Sequence, residues 1–325
     1  MGIDFLADLC KVNLKQYLYR RVQSEVSDYR HTINLRAILI FSVALISAVV
    51  LVACSNEKLT DDSSVGGDSA AETEDPRIVA LDWRYEEILH ALDLEPVGIV
   101  EIGQSRAPAT LEGKLDGIES VGQAKQPNLE VIQSLEPDLI LASPTRHAAI
   151  MDQLAEIAPT ESYSDDSYID VLDAMDEIAA KYDRQDKAQE VRNRIETKVE
   201  KARDVVPDGA RSALIGWTKD TLYTWVDPSF PASLLTAAGY EYGYQGEKSA
   251  IESKTDVAEL TGDKLSTMEL DTLFLYNDQE AFYNSPWADV VDDVVDVEQD
   301  TWSRSRGPIA AEVMLDEIID HARQK

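Results

Sequence analysis

From Pro76 onward, short apolar runs alternate with stretches in which apolar residues recur every three or four positions. Residues 77–81 (Arg-Ile-Val-Ala-Leu) read as a buried strand. Residues 85–92 read as a helix, with Ile88, Leu89 and Leu92 on one face. A second strand is predicted at 96–100. A short helix follows at 128–135, and Pro137 separates it from a strand at 139–142. A helix over 148–157 ends at Pro159. Strands alternating with helices predict a parallel α/β sheet.

Residues 166–206 break the alternation. Val171, Leu172, Met175, Ile178, Ala179 and Tyr182 hold helical spacing. After a hydrophilic break at 183–187 the spacing resumes at Val191, Ile195, Val199 and Ala202. The pattern predicts one long helix, or two end to end, stopped by Pro207-Asp208-Gly209. A second α/β half then begins. Its predicted strands are 212–217, 222–226 and 272–276, and its predicted helices are 232–238 and 309–321. The expected organisation is an N-terminal lobe over 76–165, a connecting helix over 166–206 and a C-terminal lobe over 207–325. No internal repeat is visible.

The chain before Pro76 is of another kind. Residues 37–54 are an uncharged apolar run preceded by Arg30 and Arg36 and ending in Leu51-Val52-Ala53-Cys54. A basic start, an apolar run and small residues at its end describe an export signal. The run is short for a spanning helix, which needs about 20 apolar residues. Leu-Val-Ala-Cys resembles a bacterial lipobox. That resemblance implies diacylglycerol on the Cys54 thiol and cleavage just before it; an uncleaved membrane anchor is the alternative. Either way the rest of the chain is expected outside the cytoplasm. Residues 1–36 are long for a signal start, and no Met lies between Met1 and Met151, so a true start further in requires a non-Met codon. Residues 55–75 are polar, acidic and rich in Gly and Ser, and read as a flexible tether.

Cleavage before Cys54 leaves about 270 residues, enough for one large domain or two lobes. Cys10 and Cys54 are the two cysteines, so no disulfide is available to the mature chain. The whole chain carries 30 basic and 61 acidic residues, net −31. The signal segment takes 6 basic and 4 acidic ones with it, which leaves 24 and 57, net −33. Such a surface excludes nucleic acid as a partner, because nothing neutralises phosphates along a duplex. It favours a soluble monomer and suits a saline habitat, where a short Debye length mutes self-repulsion.

Three segments resemble one family. Residues 77–98 (Arg-Ile-Val-Ala-Leu-Asp-Trp-Arg-Tyr-Glu-Glu-Ile-Leu-His-Ala-Leu-Asp-Leu-Glu-Pro-Val-Gly) are similar to the opening of iron-siderophore substrate-binding proteins of ABC importers. Residues 121–141, containing Gln126-Pro-Asn-Leu-Glu130 and Glu136-Pro-Asp-Leu139, resemble that family's most recognisable stretch. Trp302, Gly307-Pro308 and a terminal helix resemble its end. The resemblance spans residues 76–325 and leans toward the ferric-citrate and ferric-hydroxamate branch. It implies two α/β lobes joined by a long backbone helix. It also implies a ferric siderophore held between the lobes, with ferric citrate or a related carboxylate chelate favoured, and delivery to an ABC permease. No cofactor is implied, since the siderophore supplies the ligands of the iron.

A ferric carboxylate or hydroxamate complex calls for arginine forks and aromatic surface. The resemblance makes Trp302 a cleft residue, with Arg304 and Arg306 on the same side if the backbone is extended. The plainer reading is a core tryptophan beside two solvated arginines. In the first lobe the family often has Arg just before Pro-Asn-Leu-Glu; here that place falls to Ala124, with Lys125 next to it. Arg106 and Arg146, on loops after strands, are further candidates, because open α/β sheets bind ligands there; each is equally readable as a surface charge. Trp217 and Trp225 are candidates to line the second lobe, though core packing accounts for at least one of them. Alternating Tyr240, Tyr242 and Tyr244 read as strand packing, with a cleft role as the alternative. Glu130 and Glu259 match the exposed glutamates with which the family docks on permease arginines; Glu130 is equally a first-turn acid on a helix.

Signals for chemistry are weak. The mature chain has three histidines, His90, His147 and His321, and no His-Glu-x-x-His or paired cysteines. Residues 243–249 (Gly-Tyr-Gln-Gly-Glu-Lys-Ser) lack the Gly-Lys step of a phosphate loop. No Gly-x-Ser-x-Gly occurs. The expected class is a binding protein rather than an enzyme. Haem, cobalamin and hydroxamate siderophores are alternative ligands, and a metal-dependent enzyme on a similar scaffold or a ligand-free structural lipoprotein are alternative classes.

Overall fold

A computed structural model describes residues 76–219, 221–244 and 256–325. The signal segment, Cys54 and the acidic tether lie outside these residues. The described part is an α/β protein with two sheets.

The first sheet is built from β1 (Ile78–Ala80), helix α1 (Trp83–Ala91), β2 (Pro96–Glu101), β3 (Glu119–Gln123), β4 (Gln126–Pro127), helix α2 (Leu129–Ser134), β5 (Leu139–Leu141), helix α3 (Met151–Ile157) and β6 (Thr160–Glu161). Its order is β4-β3-β2-β1-β5-β6, parallel except for β4. The central β1 is fully buried, which is why it reads as a continuous apolar run rather than an alternation. Ile78 and Ala80 face Ile88 and Leu89 of α1 in one core cluster. Val79 and Leu81 face Ile132 of α2 and Leu154 of α3 in another.

The segment 166–206 departs from expectation. It forms helix α4 (Tyr168–Lys181) and helix α5 (Gln185–Val205), folded back on one another rather than set end to end. Asp183, in the hydrophilic break, takes a left-handed φ of 55° and turns the chain. Arg192 of α5 then reaches back to Asp173 and Asp176 of α4. A capping box between Ser167 and Asp170 starts the hairpin.

The second sheet follows: β7 (Arg211–Thr218), β8 (Thr221–Trp225), helix α6 (Phe230–Ala237), β9 (Glu241–Tyr242), β10 (Val257–Leu260), helix α7 (Gly262–Ser266), β11 (Thr272–Tyr276), helix α8 (Gln279–Tyr283) and β12 (Val294–Asp296). A π-helical turn at Asp300–Ser305 leads into the last helix, α9 (Pro308–Arg323). The order is β10-β8-β7-β11-β12, with β9 also on β7; β7, β9, β11 and β12 are parallel, while β8 and β10 run as antiparallel additions. Tyr240 and Tyr242 are buried, and the Tyr242 hydroxyl donates to the Trp225 carbonyl at 2.9 Å, so these rings pack the fold.

Helices α1, α4, α5 and α9 lie between the sheets. One apolar cluster runs from Ile78 and Leu89 through Met175 and Ile195 to Leu315 and Phe274. Apolar burial at about 25 cal/mol per Å² is what holds these layers together. Arg194 and Lys198 of α5 flank it with ion pairs to Glu312 and Asp316 of α9.

Candidate functional site

The carboxyl ends of the parallel strands in both sheets are where an open α/β fold presents side chains to a ligand. Six charged residues meet there. Asp82 follows β1 and caps α1, its Oδ1 accepting from the Arg84 amide at 3.3 Å. Its other oxygen pairs with Arg146, from the loop after β5, at 2.6 Å. The same oxygen faces Arg306, from the second sheet's side, at 3.5 Å. Arg306 also pairs with Asp165 at 3.2 Å and Asp256 at 3.0 Å. Arg84 completes the group through an ion pair to Asp165. Three guanidiniums thus face three carboxylates across the junction of the two lobes.

Each arginine is set by its surroundings. Arg84 is 1% exposed, lies over the Tyr85 ring at 4.6 Å, and donates to the Tyr85 hydroxyl at 3.0 Å. That hydroxyl donates to the Ala142 carbonyl after β5 and accepts from the Tyr163 amide after β6. Arg146 sits in a turn closed by His147, whose Nδ1 accepts from the Ser143 amide at 2.9 Å. Its Nε2 therefore carries the proton and donates to the Ala124 carbonyl at 2.7 Å, tying this loop to the one that bears Lys125. Burial lowers the His147 pKa further, so the ring is neutral. Arg306 has a left-handed φ of 55°, which aims it away from the π-helical turn and into the cluster.

Burial alone would raise the Asp82 pKa, but Arg146, Arg306 and Arg84 hold it well below the usual carboxylate range. Asp82 is therefore ionised at neutral pH. A second feature lies between the first lobe and the π-helical turn. Arg304 pairs with Asp300 at 2.5 Å, and its guanidinium lies against Gly103, where an added Cβ would stand 3.6 Å from Nη2. A cavity of about 330 Å³ opens here, lined by Ser105, Arg106, Leu111 and Asp116 from the first lobe and Asp300 from the second.

The structure thus brings Arg146 and Arg306 together through Asp82 and pairs Arg304 with Asp300; Arg106 lines the cavity that Asp300 also lines and donates to the Ile118 carbonyl. Lys125 is exposed on the neighbouring loop. Trp302 is not in the cleft. It is fully buried, stacked on Phe274 at 4.7 Å, with its indole nitrogen donating to Glu317 at 2.6 Å. The expectation assumed extended backbone. Glu298 instead accepts from the Asp300 and Thr301 amides and starts a helical turn, which sends residues 302, 304 and 306 in different directions. Trp217 and Trp225 are also buried, with Trp217 edge-on to Phe282 at 6.0 Å. Glu130 is exposed in the first turn of α2, beside its cap Asn128; Glu259 is exposed on the edge strand β10.

Sequence reasoning missed Asp82, Arg84, Asp165 and Asp256. Asp82-Trp83-Arg84 carries a usable signal, a capping acid directly after a buried strand and an arginine directly inside the helix. Among the described residues no three His, Cys, Asp or Glu side chains converge as a metal site, and no helix is long and apolar enough to cross a membrane.

Comparison with known proteins matches residues 78–304 to the periplasmic binding protein family. The Fe(3+)-citrate-binding protein YfmC of Bacillus subtilis is 26% identical over 90% of this chain and 99% of its own length. The putative ABC transporter substrate-binding lipoprotein YhfQ of the same organism is 30% identical over 64% of this chain and 68% of its own. Among solved structures, Staphylococcus aureus SirA in complex with staphyloferrin B superposes with a TM-score of 0.64 at 21% identity, covering 76% of this chain and 93% of that one. At that identity the likeness shows the fold alone. With the family matched over more than two thirds of its length, this chain belongs to the periplasmic binding proteins, a family of substrate-binding proteins rather than enzymes.

Proposed function

We propose that this chain captures a ferric siderophore at the junction of its lobes and delivers it to an ABC permease for iron uptake. A carboxylate chelate of the ferric citrate kind is the favoured ligand, and a lipid on Cys54 is the anchor. The observation that carries this reading is the convergence of Arg84, Arg146 and Arg306 at the strand ends of both lobes. Guanidinium forks match carboxylate and hydroxamate oxygens. The ligand's oxygens would exchange with Asp82, Asp165 and Asp256 for the same donors. The named functions of YfmC and of other relatives, which bind ferric citrate or siderophores, support the same ligand class.

A thermal-shift screen of the mature chain against ferric citrate, ferric hydroxamates, haem and cobalamin tests the proposal. A ligand at 100 times its Kd adds about 2.7 kcal/mol to the native state, which for a domain of this size raises Tm by roughly 5–10 °C. A shift with haem or cobalamin and none with any ferric siderophore would refute it.

A further inference from the structure

Helix α9 begins at Gly307, an N-cap with no side chain to satisfy the first free amides. The missing cap comes from the other lobe. Glu87 of α1 is fully buried, and its Oε2 accepts from the Ala310 amide at 2.9 Å. Its Oε1 accepts from the Thr110 hydroxyl at 2.5 Å. The approach is close enough that a Cβ at position 307 would collide with the Glu87 carboxylate, so glycine is required there. A buried carboxylate is costly unless it satisfies several donors, and these donors sit directly behind the segment that carries Arg304 and Arg306.

We propose that Glu87 is a positioning residue for ligand binding: by capping α9 from the opposite lobe it fixes the segment 304–307, and with it Arg306, at the lobe junction. The inference rests on the binding site proposed above. It also predicts a pH signature. Burial pushes the Glu87 carboxyl up to about 7, against the hydrogen bonds from Thr110, Ala310 and Ile309 that hold it down. The ionised form is the stronger cap. Glu86, next to it on α1, interacts with it by charge; the elements packed around it also carry Arg84 and His90 on α1, Glu101 on β2, Asp300 and Arg304 on the π-helical turn, Glu312 and Asp316 on α9, and Arg194 and Lys198 on α5, and Arg106, Glu112 and Lys114 flank the turn that supplies Thr110.

The test uses the mature chain, with ferric citrate as the probe, at pH 6 to 8, and hydrogen exchange at the Ile309 and Ala310 amides. Glu87→Ala is expected to weaken ferric citrate about tenfold at pH 8 and to speed exchange at both amides. Glu87→Gln keeps an acceptor but cannot ionise. Its exchange stays slow, and its affinity stays flat with pH, whereas the wild type tightens several-fold from pH 6 to 8. Gly307→Ala should weaken binding by itself, and it should weaken binding further in the Glu87→Ala background, because the residue-87 Cβ, 2.6 Å from the added methyl, remains after the carboxylate is gone. Ligand speciation is common to all variants and cancels. Wild-type affinity in both Glu87→Ala and Gly307→Ala, or a wild-type pH profile in Glu87→Gln, overturns the proposal. If Glu87→Ala does not fold, Gly307→Ala and Glu87→Gln decide. If the wild type binds no ferric siderophore, the binding reading fails separately, and unchanged exchange at Ile309 and Ala310 in Glu87→Ala still overturns the positioning role.

Discussion

Replacing Arg306 with alanine separates a ligand site from a structural lock. Arg306 is 7% exposed and faces Asp256, Asp165 and Asp82 at 3.0, 3.2 and 3.5 Å. Breaking a buried ion pair by removing one partner costs about 3–5 kcal/mol, because the other charge is stranded. Here the stranding is partial. Asp82 keeps Arg146 at 2.6 Å, Asp165 keeps Arg84, and Asp256 is 34% exposed and rehydrates. The cost should therefore fall to about 2–3 kcal/mol. Loss of a charge-assisted contact to a siderophore oxygen removes roughly 1.5–3 kcal/mol of binding, or at least about tenfold in Kd. Urea unfolding followed by tryptophan fluorescence gives the first quantity, and calorimetric titration with ferric citrate the second. Arg304→Ala is the control for a partly exposed pair and should cost less than about 1 kcal/mol of stability. A variant that loses stability but binds ferric citrate as the wild type does would refute the assignment of Arg306 to the site and leave it an inter-lobe strut.

Other consequences are open to direct measurement. Trp302→Phe should lower stability by about 1–3 kcal/mol through the lost bond to Glu317 and a poorer fill beside Phe274, with siderophore affinity within about twofold of wild type; a large affinity loss in a well-folded variant would return this residue to the cleft. Glu130→Arg and Glu259→Arg should keep affinity and impair siderophore uptake by cells, since both residues are exposed and a reversed charge repels permease arginines; normal uptake by both would remove the docking role. Cys54→Ser should abolish labelling by a fatty-acid probe, because only the thiol accepts the lipid, and a labelled mutant would sink the lipobox reading.

What could be read in the sequence, and what could not, divides along a physical line. The strand Thr272–Tyr276 and the helix Leu129–Ser134 were legible because burial on both faces, or a capping Asn128 before a periodic run, leaves its mark within a few residues. The hairpin of α4 and α5 was misread because periodicity reports helix but not direction; the turn rests on the left-handed backbone of Asp183, which an aspartate tolerates without announcing it. Trp302 was misplaced because an i, i+2, i+4 reading assumes a strand, and the two amide bonds made by Glu298 decide for a helical turn instead. The charged junction was the least legible. Arg306 and Asp82 are far apart in sequence, and nothing local distinguishes a buried arginine from a solvated one. Composition offers the best clue. When 24 basic residues serve 57 acidic ones, an arginine at the surface has carboxylates on every side and gains little from any one of them. Arginines held out of water at one junction, with matched aspartates, are therefore not explained by charge balance alone. A junction that is neutral as a whole, yet rich in forked donors, can trade its own carboxylates for those of a ligand without leaving a buried charge unpaired, provided the displaced aspartates reach water. The 34% exposure of Asp256 gives one of them that route, and makes its pair with Arg306 the first contact an incoming ligand should replace.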